Sequence, residues 1–203
     1  MLGLPERTEL RRAIPKKKIY EHFAAEMNPA RRKRFDADIA RITIIHELSP
    51  QSINLAAGKQ VAAIFVAQLQ LRQKDFDTKN IEFIARLFGQ NLLFVLTCGE
   101  ESCLAIHQTR LLFGEWQATE QLQIELQGLD LDMVWQHIVR QVGQIKVEDA
   151  DTLDEAILCR EAKEKLERQI TQLEQKAWKE IQPRKKFALV QELHQLKRQM
   201  EEM

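Results

Sequence analysis

Two long helices separated by a single proline fill the C-terminal quarter of this sequence, and they constrain its fold more than any other feature. Residues 152–181 contain no glycine and no proline, and apolar residues recur there at helical spacing: Ala162, Leu166, Ile170, Leu173 and Ala177. Pro183 breaks the pattern. It resumes as Leu189, Leu193, Leu196, Met200 and Met203, in steps of four, three, four and three. An apolar stripe along a helix has to be covered, most simply by a second helix. Proline fixes φ and lacks an N–H, so the break is expected to fold the pair into an antiparallel hairpin. The expected seam sets Leu166, Ile170 and Leu173 against Leu189, Leu193, Leu196 and Met200. The first helix drifts from a strict heptad, with two consecutive steps of four, which favours a hairpin over one long dimeric coiled coil.

The chain has 203 residues, enough for one domain with a sizeable core plus an appendage. Formal net charge is zero, yet the charges are segregated. Arg11, Arg12, Lys16, Lys17, Lys18, Arg31, Arg32, Lys33 and Arg34 make the first forty residues basic. Acids dominate residues 115–155. Such a chain is expected to dock a complementary partner rather than to bind polyanions over its whole surface. Its three cysteines form no C-x-x-C pair, which fits a reducing, cytoplasmic compartment. The N-terminus lacks the apolar core of a signal peptide, and no run of about eighteen apolar residues suggests a membrane span.

Residues 1–145 mix helical and extended patterns, which predicts an α+β or α/β domain with a small mixed sheet and flanking helices. Residues 5–13 read as a short helix closed by Pro15, and residues 16–26 as a second. Asn28-Pro29 supplies an N-cap and a first-turn proline for a helix over 30–39. The β-branched run 42–48 is a strand, and 61–71 is a half-buried strand. Between them 51–60 is ambiguous: 52–55 is a candidate extended segment, followed by a turn at Gly58-Lys59. Asp77 caps a helix over 78–88, which Gly89 stops. Residues 92–97 suit a central strand, paired through Gly99 with 103–108. Residues 122–126 alternate like a strand, and 130–142 form an amphipathic helix ended by Gly143. Residues 146–152 link this domain to the helical unit, 146–203.

The catalytic candidates are few. Restriction-type nucleases place one acid on a strand and an acid-x-lysine on the next, so that carboxylates hold a divalent cation while lysine supports the attacking water. Glu47, Asp75 and Lys74 are the residues that such a reading would use. Gln68 and Gln70, however, stand where the second acid belongs, and an amide cannot supply a carboxylate's charge to a hard cation. Cys98, Cys103 and His107 have metal-like spacing but no fourth ligand, and read better as buried small groups. Gly58-Lys59 lacks the first glycine and the Ser/Thr of a phosphate loop. No cofactor or metal is therefore expected. The basic N-terminal cluster is a candidate for DNA or for an acidic protein surface. Lys176, Lys179, Arg184, Lys185 and Lys186 make the hairpin tip basic, and there protein contact is favoured.

Several segments, namely residues 1–5, 14–17, 33–39, 73–77, 80–82 and 182–187, together resemble the bacterial and archaeal family called domain of unknown function 4391, over nearly the whole chain. The resemblance implies a companion of helicases, DNA methyltransferases and type III restriction subunits in phage-defence loci, and it assigns no catalytic residue. The combined expectation is a non-enzymatic accessory subunit that grips a helicase, methyltransferase or restriction subunit through its arm and contacts DNA through basic patches. A degenerate metal-dependent nuclease of restriction-endonuclease-like fold is the alternative. Self-association through the arm, giving a homo-oligomer, is a third.

Overall fold

The β-branched and apolar runs of residues 39–107 pair with one another as neighbours in a single sheet, and helices form where the apolar period lengthens. The structure is a computed structural model that describes residues 2–89, 91–144, 153–179 and 182–201. A 3₁₀ turn at Glu6–Thr8 leads into β1 (Glu9–Ala13), then α1 (Lys16–His22), α2 (Pro29–Asp38) and β2 (Ile39–Leu48). One turn of helix, α3 (Pro50–Ile53), precedes β3 (Ile64–Leu71), α4 (Lys79–Phe88), β4 (Asn91–Cys98) and β5 (Glu101–His107). Two short strands, β6 (Leu111–Phe113) and β7 (Gln117–Ala118), and α5 (Leu131–Gly143) follow. The arm consists of α6 (Leu153–Lys179) and α7 (Pro183–Glu201).

The strands lie in the order β1-β2-β3-β4-β5-β6, with β7 on the far part of β5. β3 and β4 pair in parallel, and α4 makes the crossover that parallel neighbours require. The other ladders are antiparallel. This is a mixed α+β architecture with an open sheet. β4 is apolar almost throughout because both of its faces are covered. Leu92, Phe94 and Leu96 face one side with Ile42, Ile44, Ala67 and Leu69 from the neighbouring strands, under Ile19, Phe35, Ile81 and Ile84 from α1, α2 and α4. The alternate residues Leu93 and Val95 point the other way, as do Leu104 and Ile106 of β5. α5 lies against β5 and β6.

Local signals set several boundaries. The Asn28 side chain accepts from the Arg31 N–H at 2.9 Å, with Pro29 in the first turn. Asp77, expected to cap α4, lies one residue before its N-cap, Thr78, which makes no side-chain cap bond; Asp77 Oδ1 accepts from the Lys79 N–H at 3.1 Å, and Gly89 ends α4 at φ +56°. Asp130 caps α5 through the Met133 N–H at 2.9 Å.

Several expectations fail. Residues 5–13 are a 3₁₀ turn and an edge strand rather than a helix, because β2 offers an unpaired edge that 9–13 takes up. The candidate extended segment 52–55 instead begins inside a helical turn, Pro50–Ile53, fixed by a reciprocal Ser49–Ser52 capping box and ended by Asn54 in the left-handed region. Residues 122–126 form no strand: Leu122 and Ile124 are buried alternately, but the segment is held by the Ile124 N–H to Leu2 oxygen at 3.0 Å and one bridge. Gly143 is the last residue of α5, and Gln144, at φ 50°, is the residue that ends it.

The chain divides into two compact units, Met1–Gln144 and Ile145–Met203. Within the second, α6 and α7 pack on each other, and Pro183 is the first residue of α7, where a missing N–H costs nothing. Ile170 and Ala177 are buried in the seam. Leu166, Leu173, Leu189, Leu193, Leu196 and Met200 are half-buried, and Lys197 Nζ meets Glu174 Oε1 at 2.8 Å across the pair. Ala162, expected in the seam, is exposed. Met203 and the 146–152 linker lie outside the described residues.

Candidate functional site

The sheet's second face is covered only in part. Among the described residues it is open over β1, the first part of β2 and the second half of β3, where the alternate side chains turn polar, whereas Ile64 and Val66 at the start of β3 are buried. The result is a groove of about 550 Å³. Glu9, Arg11 and Ala13 from β1 form one wall, and Arg41, Thr43, Ile45 and His46 of β2 run beside them. Gln68 and Gln70 of β3 and Thr97 of β4 close it. Strand alternation places them together, since the residues between them, Ile42, Ile44, Ala67 and Leu69, point into the core. Gln68 Nε2 donates to Thr97 Oγ1 at 3.3 Å, and Arg11 reaches Glu9 at 3.4 Å. Arg41 is exposed and has no ion-pair partner among the described residues.

His46 borders the groove yet is only 5% exposed. A shift in the β2–β3 register between Ile44 and His46 turns it out of simple alternation. Its Nδ1 lies 2.8 Å from Thr8 Oγ1, whose proton goes to the Pro5 carbonyl at 2.6 Å. The ring therefore donates Nδ1–H to Thr8 and keeps its lone pair on Nε2. Burial pushes the imidazole pKa below its usual value, partly offset by the Glu9 charge.

The nuclease trio is not assembled. Glu47 pairs with Phe65 near the start of β3, whereas Lys74 and Asp75 follow its end at Leu71, about 20 Å further along the strand. Lys74 pairs instead with Glu101 and stacks over Trp116 at 5.2 Å. The groove itself holds one carboxylate, Glu9. Cys103 donates its thiol to the Leu104 and Gly114 carbonyls, both at 3.2 Å, and burial pushes its pKa up to about 11. That is the behaviour of a packed thiol rather than a ligand. Among the described residues no three His, Cys, Asp or Glu side chains cluster as a metal site.

The Gly58-Lys59 turn does bind an anion, but one from its own chain. The backbone N–H groups of Lys59, Gln60 and Val61 donate to the Asp132 carboxylate at 2.6, 3.1 and 2.8 Å. A Cβ on Gly58 would meet Asp132 Oδ1 at 2.1 Å, so glycine is needed there for close approach. Burial would raise the Asp132 pKa, but these three bonds outweigh it and hold the carboxyl below the ordinary range.

Three of the segments that carry the family resemblance meet in space. The buried Asp38 carboxylate accepts from Asn80 Nδ2 at 2.7 Å, from the Asp77 N–H at 3.1 Å and from Gln73 Nε2 at 3.5 Å. The Arg72 N–H donates to the Asp38 carbonyl at 2.8 Å. This buttress ties the end of α2 to the turn between β3 and α4, which gives 33–39, 73–77 and Asn80 a structural reason to occur together.

The N-terminal cations split into two groups. Lys16 meets Asp36 at 2.8 Å, Lys17 meets Glu21 at 3.5 Å, and Arg31 and Arg32 lie over the rings of Phe83 and Tyr20. Arg12, Lys18, Lys33 and Arg34 are exposed, with no ion-pair partner among the described residues. At the arm's tip Lys176, Lys179, Arg184, Lys185 and Lys186 are all exposed. Two residues that charge patterning alone does not single out stand among them: Trp178 is 87% exposed and Phe187 65%. The signal was their position off the heptad stripe, on either side of residues 180–182.

Among the described residues no helix is long and apolar enough to cross a membrane. A family model described as "Domain of unknown function (DUF4391)" matches residues 2–200. No curated protein and no solved structure matches the chain.

Proposed function

We propose a role for this chain on the premise that it belongs to the DUF4391 family: it is a non-enzymatic accessory subunit of a helicase or restriction-modification-like defence assembly. The arm docks on the larger protein, a helicase, methyltransferase or restriction subunit, and the body brings a nucleic-acid contact to it. The observation that carries this reading is the hairpin tip, where Trp178 and Phe187 stand in solvent among five cations. A large aromatic left in water gains nothing for the monomer's own stability. It gains when a partner desolvates it, which is why aromatics and arginines dominate binding hot spots. The separation of Glu47 from Lys74 and Asp75, and the single carboxylate in the groove, favour this role over cleavage.

The test is co-expression with neighbouring helicase and methyltransferase genes from the native locus. The wild-type chain is expected to co-purify with one of them, and Trp178→Ala/Phe187→Ala to lose at least tenfold in affinity, about 1.4 kcal/mol. An inert monomer that co-purifies with neither overturns the proposal. So does metal-dependent DNA cutting that Glu47→Ala or Asp75→Ala abolishes.

A further inference from the structure

The groove on the open sheet face has unspent recognition chemistry. Arg41 carries a full charge with no ion-pair or hydrogen-bond partner among the described residues, and neither the Gln70 amide nor the Thr43 hydroxyl has a partner there. Hydrogen-bond bookkeeping at Thr8 leaves His46 Nε2 as a free acceptor on a side chain that is otherwise buried. Glu9, the one acid, is engaged with Arg11, so the groove's balance is cationic. Ile45 and Ala13 supply an apolar patch among these groups.

We propose that this groove binds single-stranded nucleic acid, with Arg41 on a phosphate oxygen, and Gln70, Thr43 and His46 on base and sugar edges. Guanidinium is suited to phosphate because its planar donors engage two oxygens at once. An amide offers both a donor and an acceptor, as a base edge does. A duplex spends its Watson–Crick edges on pairing and shows its remaining base edges only inside its grooves, out of reach of a recessed side chain such as His46; an unpaired strand can turn a base inward. At about 550 Å³ the space has the size of a ligand pocket rather than of a broad docking face. The groove's one carboxylate, Glu9, lies beside Arg11, and the proposal is of binding rather than of cleavage. The inference deepens the nucleic-acid half of the proposed function and is independent of the arm, since different residues carry each.

Fluorescence anisotropy on the full chain tests it, with a labelled single strand of about twelve nucleotides, the matching duplex, and free mononucleotide as competitor. The wild type is expected to prefer the single strand. Arg41→Glu should weaken it at least about tenfold and reduce the salt slope by about 0.7 for each phosphate that is no longer neutralised. Arg41→Gln should show a smaller loss in the same direction. Lys185→Glu/Lys186→Glu on the arm should bind the strand like wild type, which separates failure here from failure of partner docking. The groove is overturned by equal affinity in Arg41→Glu, by absence of single-strand binding, or by tighter duplex binding. It is likewise overturned if mononucleotide displaces the strand at equal concentration, or if only Lys33→Glu/Arg34→Glu on α2 abolishes binding.

Discussion

The body and the arm use apolar residues for opposite ends. In the body, β4 is sealed on both faces, and Phe35, Phe94, Ile81 and Ile84 are fully buried. In the arm, Ile170 and Ala177 are the buried apolar residues described, the rest of the seam is half-wet, and the largest aromatic side chain stands in water. Two packed helices cannot enclose a core, so most of each helix faces solvent or a partner. The body's sequence is therefore spent on holding itself together, while the arm's is spent mainly on a surface.

That contrast can be broken by mutation. Phe94→Ala should cost about 3–5 kcal/mol in chemical denaturation, because a cavity in a sealed layer cannot refill. If it costs as little as an arm truncation, the body is not the rigid half. Asp38→Ala comes next, at about 2–3 kcal/mol, since it strands the buried Asn80 amide and the Asp77 N–H. Ile170→Ala in the seam should cost only about 1–2 kcal/mol, read from the helical signal, because water reaches the neighbouring side chains.

A pH scan sharpens the comparison further, because the buried titratable imidazole belongs to the body. The His46 pKa is lowered by burial from 6.5 in the folded chain. The unfolded chain takes up a proton near 6.5 while the folded one does not. Stability is therefore complete above that pH and declines as pH falls from it toward the lowered folded value. The wild-type Tm should drop over that window, and His46→Gln should flatten the slope. The smallest effect is expected at Trp178→Ala, within about 0.5 kcal/mol of wild type in stability, although it removes the largest exposed aromatic. A larger loss would mean that the indole serves the arm's own fold.

Sequence patterns made much of this legible. Caps at Asn28 and Asp130 act within a few residues of themselves, so local chemistry suffices to find them, whereas Asp77 stands one residue before the N-cap of α4, Thr78. The central apolar strand and the hairpin after it follow from period and turn alone. The edge strand β1 was not legible, because residues 9–13 become extended only through a partner edge at least thirty residues away. The groove was half legible: Gln68 and Gln70 stood out on the polar face of a half-buried strand, as amides where a nuclease's second acid belongs. That Arg41, Thr43 and His46 share their face depends on strand order and on a register shift between Ile44 and His46.

The same division holds across the molecule. By itself the sequence determined the hairpin of helices, the caps, the alternation of helix and strand patterns in the body, and the charge segregation, all of which are short-range consequences of residue type. Only the tertiary structure decided that Asp132 fills the Gly58 loop, that Asp38 joins segments forty residues apart, and that the nuclease candidates stand at opposite ends of β3. Those outcomes follow from which strand lies beside which and in what register, and register is set by the packing of the whole sheet rather than by any one segment.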